Sequence, residues 1–319
     1  MGNQADALNA GWPVARYRFR FTVQTPISLP EYAGSMLRGV FGQALRRIAC
    51  MTREPHCPAC PLHATCPYTL IFETPPPASH SLRRVNAVPN PYAIEPPPWG
   101  ARAYRPEEDL VFDMVLFGHA LEKLPLVIFA WQRAFARTVG YGTAALSDVL
   151  LVAPRGEESV WDAVARRVRG HQYRLFLPDL AGGNFRLTFD TPLRLQDQGA
   201  GGKALPPDSL TAGRLLMDLV RRISLLAEFH ADCIPAWNFQ EMKRAAASVS
   251  LSHCLRWRNW KRWSNRQNKE TTPNGLVGQV NLHHVPECFH EPLQLGQWTH
   301  LGKSATFGLG RYALEEIRP

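Results

Sequence analysis

From residue 17 to residue 24 the chain alternates between apolar and polar positions. Tyr17, Phe19, Phe21 and Val23 fall on one side of an extended strand; Arg18, Arg20, Thr22 and Gln24 fall on the other. The pattern returns in the second half. FRFTVQTPISL (19–29) and FRLTFDTPLRL (185–195) are identical at six of eleven positions, including the Thr-Pro near the end of each. Each copy is followed by a loop and then by a helical period. The first helix is predicted over 34–49 and the second over 209–230, with LRRI (45–48) answered by VRRI (220–223). A strand–loop–helix unit used twice predicts two copies of one small α+β domain. Residues 110–117 alternate as a strand, 124–139 read as a helix ended by Gly140-Tyr141-Gly142, and 148–153 form a short apolar strand. Strands flanking helices in each half fit a ferredoxin-like (RRM-like) βαββαβ arrangement. The expected plan is an N-terminal domain over 12–155, a linker over 156–184 and a C-terminal domain over 185–319. Residues 75–106 hold nine prolines and predict extended chain ordered by packing.

Composition adjusts this picture in two ways. A length of 319 residues suits two domains. No run of about 18 apolar residues appears, so no membrane span is expected. The first residues lack a basic start followed by an apolar stretch, which points to the cytoplasm. The net charge of +9 favours a polyanionic partner.

That charge is concentrated. Lys243, Arg244, Arg256, Arg258, Lys261, Arg262, Arg266 and Lys269 lie between residues 243 and 269, with no Asp or Glu among them. Trp257, Trp260 and Trp263 recur every three residues. On a helix that spacing gives an aromatic stripe flanked by cations, which predicts a helical basic insertion (about 232–274) in the second domain. Its chemistry is that of RNA binding: cations for phosphates, flat faces for bases. The alternative is that the tryptophans are core. A second feature is the glycine-rich loop THLGKSATFGLGRY (299–312). Gly302, Gly308 and Gly310 permit close backbone approach, and Lys303 and Ser304 stand ready for phosphate oxygens. The loop matches neither a Walker nor a dinucleotide pattern, and a tight turn before a last strand would look the same.

Cys50, Cys57, Cys60 and Cys66 follow C-x6-C-x2-C-x5-C. In a cytosolic chain this reads as a metal site before a disulfide, suiting structural zinc or an iron–sulfur cluster. No clustered Asp/Glu motif points to a metal-dependent nuclease.

Five segments together give the chain a family resemblance: YAGSMLRGVFGQALRR (32–47), CPYTLIF (66–72), VGYG (139–142), RWSNRQNKETTPNGLVGQV (262–280) and LGKSATFGLGRY (301–312). It resembles the CRISPR repeat endoribonucleases of the RAMP superfamily, with the basic insertion resembling a helical finger of type IV systems. The resemblance implies two tandem ferredoxin-like domains, a glycine-rich loop packed near the RNA, and no cofactor for catalysis. It implies metal-independent cleavage of precursor CRISPR RNA within its repeats. A ribose 2′-OH attacks the adjacent phosphate, leaving a 2′,3′-cyclic phosphate and a 5′-OH, and the product stays bound as guide RNA. Other subunits of a CRISPR complex are implied partners. Many members place a His in or near the first helix; residues 1–55 here contain none. Arg38 is then the best-placed cation on that helix, for the developing phosphorane charge. Tyr32 and His300 are the other candidates, against packing and structural roles respectively. An arginine stays protonated and is a poor base. A non-catalytic guide-RNA-binding subunit of the same fold is the alternative function.

Overall fold

The computed structural model describes residues 11–75, 88–196, 204–231, 235–264 and 269–318, with backbone alone at 262–264, 269 and 270. The chain divides into two compact units, one built chiefly from Pro13–Tyr173 and the other from Arg174–Ala227 and the C-terminal third.

In the first unit the strands are β1 (Val14–Val23), β2 (Ile27–Leu29), β3 (Tyr92–Glu95), β4 (Arg102–Tyr104), β5 (Asp109–Phe117), β6 (Ala144–Ala153), β7 (Gly156–Ser159), β8 (Trp161–Asp162) and β9 (Arg167–Val168). The helices are α1 (Gly34–Ala49), α2 (Pro67–Phe72) and α3 (Leu124–Arg137). The main sheet is antiparallel with order β3-β5-β1-β6-β7, and the principal elements run β1-α1-β3-β5-α3-β6, a ferredoxin-like unit. The alternation in β1 is realised: Tyr17, Phe19, Phe21 and Val23 are all buried. Phe21 stacks on Phe135 of α3 with centroids 4.1 Å apart, and Phe41 of α1 stacks on Trp131 of α3 at 4.9 Å. In α1, Leu37, Phe41 and Leu45 recur every four residues and are fully buried, each stabilising the packing by about 1.5–3 kcal/mol. Arg46 and Arg47 close its last turn, where cations offset the exposed carbonyl end of the helix dipole.

The opposite face of β1 carries an ion-pair ladder. Arg16 meets the buried Glu95 at 2.9 Å, Arg18 meets Asp113 at 2.8 Å and also pairs with Glu157, and Arg20 reaches Glu157 at 3.3 Å. The residues expected as a linker (156–184) begin with ordered structure: β7 pairs with β6, and β8 with β9.

The second unit repeats the plan. Its strands are β10 (Phe185–Leu193), β11 (Ser250–Asn259), β12 (Arg262–Ser264), β13 (Lys269–Thr271), β14 (Asn274–His283) and β15 (Tyr312–Glu316). Its helices are α4 (Ala212–His230), α5 (Phe239–Ala246) and α6 (His290–Thr299). Sheet order β11-β14-β10-β15, with α4 after β10 and α6 after β14, is again ferredoxin-like. The two repeat copies thus start in the central strands β1 and β10. Phe185, Leu187 and Phe189 face inward, with Leu215, Leu219 and Ile223 of α4 buried alongside.

One expectation is overturned. The basic insertion is helical only over α5; residues 250–259 form edge strand β11, paired along its length with β14. A strand separates neighbouring residues to opposite faces, so the tryptophans form no helical stripe. The helical finger of the type IV resemblance is not what this segment builds.

Candidate nucleic-acid interface

The helix face of the first unit carries a groove between α1 and α3. Val40, Gln43, Ala44, Arg47 and Ile48 of α1 line one wall; Arg133, Ala134, Ala136, Arg137 and Thr138, at the end of α3, line the other. The α1 residues recur at helical spacing and so share one stripe. Alanines at 44, 134 and 136 keep the floor low and leave a cavity of about 450 Å³, room for a nucleotide-sized group. Three guanidiniums and no carboxylate border it. Among the described residues Arg47, Arg133 and Arg137 make no ion pair, in contrast to Arg16, Arg18 and Arg20 on the sheet face. Arg133 lies over Phe129 at 4.9 Å, a contact that orients its guanidinium without neutralising it. The sequence reading missed this groove. Its one signal was the Arg46–Arg47 pair closing the first helix.

Of the three expected catalytic residues, Arg38 and Tyr32 lie in the first unit and His300 in the second. Arg38 lies half-buried with its guanidinium 4.1 Å from the Phe72 ring centre. Its charge also acts on the Tyr92 hydroxyl: burial pushes that phenol up, and the Arg38 charge pulls it partly back. Tyr32 is 4% exposed and stacks on Trp99 at 4.9 Å. His300 is fully buried at the C-cap of α6, and its backbone N–H donates to the Gly296 carbonyl at 2.8 Å. Of the three, Arg38 alone is partly exposed; none lines the arginine groove.

The glycine-rich loop is tied to the end of β10. Lys303 N–H donates to the Arg194 carbonyl at 2.8 Å, Gly310 N–H to Pro192 at 3.1 Å, and Leu301 N–H to Gly310 at 3.0 Å. A Cβ on Gly310 would stand 1.8 Å from the Leu301 carbonyl oxygen, and one on Gly302 would stand 2.5 Å from that of Arg194. Both residues hold positive φ, +71° and +85°. Packing therefore accounts for these glycines, and several amides expected for phosphate are engaged within the protein. Gly308, likewise at positive φ, caps the turn over Ala305–Phe307. Lys303 is exposed and Ser304 half-buried, both at the loop's outer edge. Arg222, beneath this region, donates to the Thr299 carbonyl at 2.8 Å; burial pushes its pKa down to about 10.

In the basic segment Lys243 and Arg244 are exposed in the last turn of α5. Arg256 and Arg258 share one face of β11, and Trp257, 41% exposed, takes the other. Lys261 is exposed, while Trp260 is buried and its backbone N–H reaches the Pro273 carbonyl at 3.2 Å. Arg262 and Lys269 are placed by backbone only, on paired strands β12 and β13. Arg266 lies outside the described residues.

Cys50, Cys57, Cys60 and Cys66 line one pocket with Arg46, Thr52 and His63. Burial pushes the Cys57 thiol up. Among the described residues no group of three or more His, Cys, Asp or Glu side chains is placed to hold a metal ion, so the expected site is not preformed.

Two domain models match the sequence. One, AF_1859_N, described as an N-terminal domain, spans residues 12–173; the other, the CRISPR-associated endoribonuclease Cas6, spans 187–312. Residues 187–312 are a Cas6-family domain. No curated protein matches it in sequence. Among solved structures it resembles a Cas6 product complex (TM-score 0.55, 13% identity, 95% of this chain and 99% of that one). It also resembles Thermus thermophilus Cas6 (TM-score 0.52, 13% identity, 95% and 99%). A third is a RAMP protein binding different RNA substrates (TM-score 0.51, 12% identity, 95% and 100%). At these identities the likeness is one of fold, and it agrees with the tandem ferredoxin-like units. The Cas6 domain supports a role in CRISPR RNA processing or binding. Among the described residues no helix is long and apolar enough to cross a membrane.

Proposed function

We propose that this chain is a metal-independent endoribonuclease that cuts precursor CRISPR RNA within its repeats and keeps the product as guide RNA. The observation that carries the reading is the α1–α3 groove: three unpaired arginines and no carboxylate, on the helix where the family resemblance puts the chemistry. Guanidiniums there hold the scissile phosphate and stabilise the charge that grows on its oxygens as the 2′-OH attacks. Gln43 offers an amide to a ribose hydroxyl or a phosphate oxygen. Among the described residues the groove is lined by no His, Asp, Glu or Lys. Proton transfer is then left to water, and catalysis rests on positioning and charge, at a modest rate. Arg38 steadies α1 from below through Phe72 and Tyr92. The cations of α5 and β11, with Lys303 and Ser304, add phosphate contacts from the second unit. CRISPR effector subunits are further partners under this reading.

The missing general base also favours a second reading, a guide-RNA-holding subunit without cleavage. One experiment separates the two: repeat RNA from the same locus is incubated with protein in EDTA, beside RNA with a 2′-deoxy ribose at the cut site. A single cut abolished by the deoxy substitution supports the endoribonuclease. Tight binding with no cut supports the holding subunit.

A further inference from the structure

The cysteine pocket is independent of the RNA chemistry and unused by it. Its backbone is a series of tight turns. The Cys60 amide donates to the Cys57 carbonyl at 3.0 Å, the His63 amide to Cys60 at 3.0 Å, and the Thr65 amide to Leu62 at 3.1 Å. These are tight turns rather than one helix: only Cys57–Ala59 is a 3-10 turn, Cys60 and Cys66 are extended, and the Cys66 amide returns to the Leu62 carbonyl at 2.8 Å. The turns fold the segment so that Cys57, Cys60, His63 and Cys66 line one pocket. Cys50 enters the same pocket from the C-cap of α1. Arg46 anchors the opposite strand of the loop, donating to the Glu54 and Pro55 carbonyls at 2.7 and 2.8 Å, and its cation borders the thiols.

We infer that Cys50, Cys57, Cys60 and Cys66 bind one structural zinc ion, which ties the C-terminus of α1 to the N-terminus of α2. Zinc takes four thiolates in a tetrahedron without regard to d-electron geometry, so an irregular loop can satisfy it. The described thiols do not converge as they stand. All four are partly exposed, Cys57 and Cys66 while also packing against the core of the first unit, and rotation about χ1 is the movement that would turn the thiols toward one another. Binding releases the thiol protons to solvent and leaves a dianionic centre, which the Arg46 guanidinium offsets. The consequence reaches the RNA-binding helix: α2 supplies Phe72, on which Arg38 of α1 rests.

The test is metal analysis of the full chain, purified under reducing conditions without a metal-affinity tag, together with zinc-edge X-ray absorption. The expected result is about one zinc per chain with sulfur neighbours near 2.3 Å. Cys50→Ser and Cys60→Ser each reduce the zinc content to near zero against a chelator that the wild type resists. A wild-type chain that is metal-free and takes up no added zinc overturns the inference, whatever the variants do. So does iron with acid-labile sulfide, and so does full zinc content in both variants.

Discussion

Removing the groove cations is the sharpest perturbation available. Arg47, Arg133 and Arg137 are exposed and make no ion pair among the described residues, so replacing all three with alanine removes charge and little packing. Alanine is also the stronger helix former, and surface changes of this kind stay within about 0.5 kcal/mol each. The thermal midpoint should therefore hold. RNA affinity should not. Each single-strand phosphate contact contributes about 0.7 to the slope of log K against log salt, so three lost contacts flatten it by about 2.1. A fourfold rise in salt, from about 50 to 200 mM, then weakens the wild type by about 18-fold more than the variant, since 4 raised to 2.1 is about 18. Fluorescence anisotropy with labelled repeat RNA over a salt series reads this directly. An unchanged slope would refute the assignment of phosphate to this groove, even if affinity at one salt concentration fell.

Three further outcomes are expected. Replacing Arg256, Arg258 and Lys261 with alanine should flatten the same salt slope by up to about 2.1, additively with the groove variant because the residues lie in the other unit; non-additive loss would mean one of the sets acts through folding. Gly310→Ala should destabilise the chain by more than about 2 kcal/mol in urea unfolding, because its Cβ meets the Leu301 carbonyl at 1.8 Å and its φ is +71°; an unshifted midpoint would show that the loop is not packed as described. Single-turnover cleavage should rise with a log-rate slope of about 1 across roughly pH 6–9, because no His, Asp, Glu or Lys lines the groove; a plateau near a histidine pKa would reveal an imidazole base.

The sheet and helices were legible wherever one face is wet and the other dry. β1 alternates because Arg18 and Arg20 must reach carboxylates while Phe19 and Phe21 must not, and α1 runs over the predicted 34–49 because its apolar stripe is continuous. β3 was hidden because all four of its residues are buried, leaving no alternation to read among the prolines. The basic segment misled because tryptophans three apart match a helix, whereas Arg256 and Arg258, two apart, match the strand that forms. The groove was invisible for another reason. Arg47 and Arg133 are distant in sequence, and only the packing of α1 on α3 makes them neighbours.

The glycine-rich loop has a counterpart that clarifies its role. In the second unit the Arg311 amide, just after Gly310, donates to Thr191 Oγ1 at 2.9 Å, at the Thr-Pro that ends the repeat in β10. In the first unit the Thr143 amide, just after Gly142, donates to Thr25 Oγ1 at 2.9 Å, at the matching Thr-Pro after β1. A Cβ on Gly142 would stand 2.2 Å from the Pro26 carbonyl oxygen, as one on Gly310 would crowd Leu301. Each unit thus uses a Thr-Pro to seat a glycine turn that feeds the strand paired beside the repeat strand, β6 beside β1 and β15 beside β10. Gly310 belongs to that shared device and follows from the fold. What the first unit lacks is the stretch Lys303–Phe307, pushed outward by Ser304 at φ +65° and closed by a single 3-10 turn. Any RNA contact peculiar to this loop rests on Lys303 and Ser304, which the shared device does not need, so substitutions there should alter RNA affinity while leaving the stability that Gly310 commands.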